Sequence, residues 1–387
     1  MMRFIRIPCE RLRTLHYKGG GVLSLINKAM VLALIICGIA SMGLPVPTEG
    51  RDMEYLHQAA DEALDAMIDG FWNDEQLHFH KYSDRSGWTD FWWLAQVWDA
   101  VMDGVERTEG KNEKWLEIME RVYAGQRSRT PTFRNQFYDD EAWWALGCIR
   151  AYKITNNQKY LRMANSLWSD IKNGWTEDFG GGIWWRKDRK TEKNACINCP
   201  AAIIAARMYE INQDPTDLLM AIDLYKWVRA NLLSPKGLIW DHVTKAGVNY
   251  WTFTYNQGTF IGAAVWLYKL TGEEHYLEDA RLVADASMQY LTNTNGIFKE
   301  DGTGDGGGFK GICIRYLVEL IRVDPHPEKY VDFVLKNAES IWNKSRNSQG
   351  LFGSGWAGPP KESRIESLEN ASAVMTLNLA AQLVPAK

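Results

Sequence analysis

Three consecutive acids, Asp139, Asp140 and Glu141, follow Phe137-Tyr138 and precede the apolar run Ala142-Trp143-Trp144-Ala145-Leu146. Successive helical residues point about 100° apart, so at the opening of a helix Asp139 and Asp140 can both face a cleft from a shared corner. Two carboxyls about 5–5.5 Å apart are what retaining glycoside hydrolysis requires, one as nucleophile and one as acid/base. Acids also open many helices with no catalytic role, because a carboxylate caps free N–H groups and meets the positive end of the helix dipole. Spacing alone leaves both readings standing. Glu141 is assigned to the second, as an N-terminal charge rather than a third catalytic group.

Other chemistries find few residues to carry them. The chain has no P-loop, G-x-S-x-G or H-E-x-x-H motif. Its seven histidines show no metal-ligand spacing, so no metal and no organic cofactor is expected. A sugar epimerase or zinc-dependent cyclase would need cleft histidines or a Cys/His metal set. Cys196 and Cys199 have C-x-x-C spacing, but no second such pair accompanies them. With Cys148 and Cys313 they are read as buried thiols or one structural disulfide, with metal and redox roles as the lesser alternatives. A net charge of −4 gives no basic footprint for nucleic acid. The unusual feature is aromatic: 18 Trp, 16 Tyr and 13 Phe. An aromatic-lined cleft with few strong charges suits a sugar, whose C–H faces stack on rings while its hydroxyls take hydrogen bonds. Any single ring is equally well explained by packing.

The elements that must position these residues come from an internal repeat. Asn156–Trp185 is echoed by Gly272–Lys299, each a helix followed by a glycine-turned loop. Tyr160, Ala164, Leu167 and Ile171 step by three and four, the stripe of a helix with one buried face. Related segments begin near Tyr55, Asn112, Pro215 and Pro327, making six outer helices. Between them lie Thr89–Met102, Asp139–Ile154, Cys196–Tyr209, Gln257–Leu270, Phe309–Ile321 and Ile365–Leu383, apolar on most sides and so expected in a core. Six helices of each kind predict an all-α fold, an (α/α)6 barrel of six nested helical hairpins, with a linear solenoid as the alternative. Chemistry is then expected on the segments that enter the inner helices, where glycine and aromatic residues gather: Trp88, Trp92 and Trp93, Gly180–Trp185, Tyr250–Gly258, Gly302–Phe309 and Gly353–Pro360.

Residues 1–40 read as a signal peptide or an N-terminal membrane anchor. Six basic residues before Ala29 precede an unbroken apolar run to Ala40, too short to span a bilayer as a helix. Residues 41–52 form a short linker, and 53–387 form one domain. Export is therefore expected, to the medium, the periplasm or the cell envelope.

The sequence resembles glycoside hydrolase family 76, the endo-acting α-1,6-mannanases of bacteria with related fungal cell-wall proteins. Four stretches carry the resemblance: Tyr138-Asp139-Asp140-Glu141-Ala142-Trp143; Gly181-Gly182-Ile183-Trp184-Trp185 followed by Lys193-Asn194; Thr254-Tyr255-Asn256-Gln257-Gly258, ahead of an inner helix; and Asp305 with Phe309-Lys310-Gly311-Ile312. The resemblance implies endo-wise cleavage of α-1,6-mannan with retention of configuration, Asp139 as nucleophile and Asp140 as general acid/base. It also implies a substrate-binding set: Tyr138 positioning a carboxylate, Trp184 or Trp185 as sugar platform, and Asn194, Tyr255, Asn256 and Gln257 reading hydroxyls. Asp305 and Lys310 would contact sugar or pair with each other. The expected partner is α-mannan polysaccharide or oligosaccharide, and the expected state a monomer. The alternatives are a mannan-directed transglycosidase and a non-catalytic glycan-binding protein on the same fold. Cys196, Cys199 and the run Gly306-Gly307-Gly308 depart from the family pattern; the glycines are expected to loosen the acidic loop.

Overall fold

The computed structural model describes residues 53–385 apart from 54 and 362. The predicted leader and linker lie outside the described residues. Among the described residues no helix is long and apolar enough to cross a membrane.

Among the described residues twelve α-helices follow one another in hairpins: α1 Tyr55–Phe71, α2 Phe91–Arg107, α3 Glu113–Arg129, α4 Tyr138–Thr155, α5 Gln158–Ile171, α6 Ala195–Asn212, α7 Pro215–Leu232, α8 Thr254–Thr271, α9 Glu274–Tyr290, α10 Phe309–Ile321, α11 Glu328–Lys344 and α12 Ser367–Ala381. The even-numbered helices form a closed ring, each packed on the next and α12 packed on α2. The odd-numbered helices lie outside them. This is the (α/α)6 barrel that the alternation of one-sided and all-round-apolar segments predicts, and closure of α12 on α2 excludes the solenoid. Burial follows the pattern: every residue of α12 from Ser367 to Ala381 is buried, whereas α5 buries only the stripe Tyr160, Met163, Ala164, Leu167, Trp168 and Ile171. Local signals start the outer helices. Asn112, Asn157 and Asp214 cap α3, α5 and α7 by accepting from backbone N–H groups of the first turn, and Pro215 follows at the first helical position.

Much of the tryptophan excess fills the space between the rings. Trp98, Trp115, Trp144 and Trp356 are fully buried. Trp98 and Trp144 lie 5.4 Å apart and Phe133 meets Trp144 edge-on at 4.8 Å, favourable aromatic geometry. Near the ends of these inner helices away from the acidic corner, Asp103 of α2 is fully buried and accepts from Arg150 of α4 and Arg315 of α10, at 2.5 and 2.8 Å. Removing one partner of such a network typically costs about 3–5 kcal/mol, so it locks three inner helices in register.

The segments entering the inner helices carry the small strands. β1 (Trp72–Asn73) pairs with β2 (His78–Phe79), and β3 (Glu192–Asn194), β4 (His242–Thr244) and β5 (Gly247–Asn249) form an antiparallel sheet with Asn194 opposite His242 and His242 opposite Asn249. After α7, α9 and α11 the chain makes the same turn, with Gly237, Gly296 and Gly350 at positive φ. These are the Gly-Leu-Ile, Gly-Ile-Phe and Gly-Leu-Phe echoes of the sequence repeat.

A side chain at the fourth position of an inner helix pins the segment that enters it. Asn198 Oδ1 accepts from Ile183 N–H at 2.7 Å, Gln257 Oε1 from Ile239 N–H at 2.7 Å, and Asn370 Oδ1 from Phe352 N–H at 2.8 Å. On α4 the same position is Glu141, whose carboxylate accepts from Asn135 N–H at 2.6 Å. These contacts satisfy buried backbone groups that would otherwise be orphaned.

Candidate active site

Asp139 and Asp140 occupy the first turn of α4, on the shared corner that the sequence predicts. Asn135 makes that corner. Its Oδ1 accepts from Gln136 and Phe137 N–H, which turns the chain into the helix, and its Nδ2 donates to Asp140 Oδ2 at 2.5 Å. Asp139 Oδ2 accepts from Cys196 Sγ at 3.4 Å, while its Oδ1 has no hydrogen-bond partner. Burial pushes Asp139 up to about 6, opposed by the Trp185 indole and the Cys196 thiol. Asp140 is pushed up to about 9 by burial, then by the charge of Asp139, with Asp305, Glu141 and Asp90 adding to it. Burial raises both carboxyls and the charge of Asp139 raises Asp140 further, so the surroundings drive the two apart in proton affinity. Glu141 is fully buried and accepts from Lys187, which also holds Asp170.

The acidic loop reaches the pair from the far side of the ring. Asp305 accepts from the indoles of Trp92 at 3.0 Å and Trp93 at 2.7 Å, so the Trp-Trp pair that opens α2 fixes a carboxylate beside Asp140. The glycines behind it are tight. A Cβ on Gly307 would lie 2.8 Å from Glu369 Cβ, and one on Gly308 2.6 Å from Leu368 Cδ1. Close approach, of Gly306 to the Asp301 carbonyl and of Gly307 and Gly308 to α12, rather than looseness, explains the run.

An aromatic wall lines the corner. Tyr255 stacks on Phe309 with centroids 3.8 Å apart and planes within 9°. Trp92 lies 6.2 Å from Phe309 and 6.3 Å from Trp143. The Tyr255 hydroxyl bonds Cys196, which links the wall to Asp139.

The remaining predicted residues divide into those at the corner and those behind it. Trp185 contacts Asp139 and packs on Phe137, with centroids 4.9 Å apart. Trp184 is buried beneath the Lys193 ammonium, which donates to the carbonyls of Thr176, Asp178 and Gly181 and so holds the glycine loop closed. Asn194 precedes α6 with its Oδ1 unpartnered. Asn256 donates to Asp241 at 2.9 Å and also keeps a free Oδ1. Tyr138 is buried against Lys187, among the charges of Asp170 and Glu141 rather than against the aspartate pair.

Gln257 differs from expectation. The Thr254–Gly258 motif opens α8 instead of preceding it, and the Gln257 amide is spent on the backbone of Ile239 and Phe253. Asp305 and Lys310 do not pair: Lys310 is buried over the Trp356 ring and donates to the Ser354 carbonyl. All four described cysteines are free buried thiols, so the disulfide alternative is set aside. Among the described residues no His/Cys/Asp/Glu group could hold a metal ion.

Sequence reasoning left Asn135, Cys196 and Asp241 out of the site. Asn135 carried a signal, an amide a few residues ahead of paired acids at a helix start. Cys196 reaches Asp139, and Asp241 reaches Cys196, only through the fold.

The sequence profile of Glycosyl hydrolase family 76 matches residues 55–386. The chain belongs to that family. Among solved family 76 structures, the α-1,6-mannanase of Salegentibacter sp. HEL1_6 is 36% identical over 85% of this chain and all of that one, with a TM-score of 0.81. An inactive variant of that enzyme with two consecutive Asp→Asn substitutions, solved in complex with α-1,6-mannotriose, matches equally in fold at 35% identity. Among curated relatives, the mannan endo-1,6-alpha-mannosidase DCW1 of Saccharomyces cerevisiae is 28% identical over 40% of this chain and 38% of its own length. That of Candida glabrata is 23% identical over 53% and 48%. The aligned stretch therefore spans less than half of either yeast protein.

Proposed function

We propose that this family 76 chain is an exported endo-α-1,6-mannanase that retains anomeric configuration, with Asp139 as nucleophile and Asp140 as acid/base. The observation that carries the reading is the aspartate pair itself: two adjacent carboxyls at one corner beside an aromatic wall, whose surroundings drive their proton affinities apart. The loss of activity in the Salegentibacter enzyme with two consecutive aspartates replaced supports it. Export rests on the leader-like composition of residues 1–40.

In the first step protonated Asp140 donates to the glycosidic oxygen as the bond to the anomeric carbon breaks. The Asp139 carboxylate attacks that carbon and forms a mannosyl ester. The ester carries no charge, so the largest Coulombic effect raising Asp140 disappears when Asp140 must become a base. Ionised Asp140 then takes a proton from water, water oxygen bonds the anomeric carbon, and the ester bond breaks to return Asp139. Trp185 and Cys196 favour the charged form of Asp139 between turnovers. Trp92 and Trp93 hold Asp305 where its charge keeps Asp140 protonated.

The test is incubation with linear α-1,6-mannan, following product size and early anomeric configuration. Short α-configured oligomannosides, abolished by Asp139→Asn and by Asp140→Asn, are expected. Dominant transfer to sugar acceptors would move the function to a transglycosidase; binding without turnover at any pH would make it a glycan-binding protein.

A further inference from the structure

Beyond the corner, the segment leading into α8 carries two aromatic side chains turned to solvent. Tyr250 and Trp251 are 67% and 60% exposed, the most exposed large hydrophobic side chains among the described residues. Their backbone is well held. Trp251 N–H donates to Asn249 Oδ1 at 3.0 Å, and Asn249 ends β5, paired through β4 to β3, the strand that delivers Asn194 and then Cys196. The Trp251 backbone is thus joined to the sheet that helps build the aspartate corner. Tyr250 meets Trp240 edge-on at 4.7 Å.

The rings also form a succession. Trp251 lies 5.9 Å from Phe253, Phe253 lies 5.4 Å from Phe309, and Phe309 stacks on Tyr255. The wall beside Asp139 therefore runs without interruption to an indole at the rim. An open cavity of about 530 Å³ lies along this path, lined by Tyr250, Trp251, Thr252, Phe253, Glu300 and Asp301. An indole face beside carboxylates combines a stacking surface for sugar C–H groups with acceptors for hydroxyls. Glu300 also lines the adjoining cleft of about 450 Å³, which extends past Trp356 to Pro359 and Pro360.

We infer that Trp251 is an outer sugar platform, on which an α-1,6-mannan chain lying in the cleft stacks a unit beyond those held at the aspartate pair, with Glu300 accepting from its hydroxyls. This rests on the reading of the cleft as a mannan site and deepens it. Long chains gain a contact that short ones cannot reach, which selects polymer interiors over short oligosaccharides. Continuity with the cleft is what selects a glycan rather than a protein partner for this patch.

The experiment uses the full chain inactivated by Asp139→Asn and Asp140→Asn, titrated calorimetrically with α-1,6-mannotriose and α-1,6-mannohexaose. The hexaose is expected to bind more tightly. Adding Trp251→Ala should weaken hexaose binding about tenfold, equivalent to about 1.4 kcal/mol, and bring the two sugars' affinities together; Trp251→Phe should restore most of the difference. If Trp251→Ala weakens both sugars equally, or neither, the outer platform is overturned while the cleft keeps its mannan reading. If neither sugar binds before Trp251 is changed, the mannan reading fails and the platform with it.

Discussion

Cys196 Sγ donates to Asp139 Oδ2 at 3.4 Å across the joint between α6 and α4. The thiol is completely buried and flanked by the charges of Asp139 and Asp241, which with burial hold it protonated far above its ordinary range. It is therefore a permanent donor, weak but fixed, to a carboxylate whose other oxygen has no partner. Cys196→Ala removes a contact that favours the ionised form, so the acid limb of the pH profile for kcat/KM should move up by about half a pH unit. Cys196→Ser supplies a stronger donor and should move it down. A limb that stays put in both variants would mean that the thiol only packs.

Asp140 exchanges stability for function, and the sign can be worked out. Its folded value lies near 9 against an unfolded value near 3.8. Between those limits the native chain holds a proton that the unfolded chain has released, so stability falls as pH rises through the window, by up to about 1.4 kcal/mol per pH unit. Asparagine has no proton to lose and can still accept from Asn135. Asp140→Asn should match the parent Tm near pH 4 and exceed it by a few degrees at pH 8. Turnover of α-1,6-mannan should meanwhile drop by about 10²–10⁴. Melting curves at the two pH values and a reducing-sugar assay check both halves.

The alkaline limb belongs to Asp305 as well. Its charge is among those that keep Asp140 protonated, and the two indoles that hold it both donate to Oδ1. Asp305→Asn retains an acceptor there and removes only the charge. The limb of kcat/KM assigned to Asp140 should move down by about half to one pH unit, leaving the acid limb where it was. Loss of activity at every pH in equal proportion would instead assign Asp305 to direct sugar contact.

The barrel was legible in the sequence because burial on one side or all round is written locally, in the stripe of α5 or the apolar run over residues 260–268 of α8, and six repetitions of the contrast imply closure. The aspartate corner was legible for the same reason: Asp139 and Asp140 are neighbours in sequence. What joins them was not. Trp92, Trp93 and Asp305 meet through closure of the ring, and Cys196 reaches Asp139 because α4 packs on α6. A buried amide also looks alike in sequence whether it faces a hydroxyl or a backbone N–H. Asn256, with a free Oδ1, and Gln257, with none, are adjacent and opposite in this respect.

That contrast is open to measurement. Gln257 pins the Ile239 backbone in both directions, accepting from its N–H at 2.7 Å and donating to its carbonyl at 2.8 Å, as Asn198 does for Ile183. Truncation leaves a buried N–H and a buried carbonyl unsatisfied, at about 1–3 kcal/mol. Gln257→Ala should lower the unfolding free energy by about that amount in urea titrations, and Asn198→Ala should do the same. A sugar-reading amide behaves differently: its loss would raise KM and leave stability alone. Asn256, fully buried with its Nδ2 on Asp241, is held by the fold in the same way, so Asn256→Ala should lower stability as well. An increase in KM for Gln257→Ala without loss of stability would return Gln257 to the substrate-binding set.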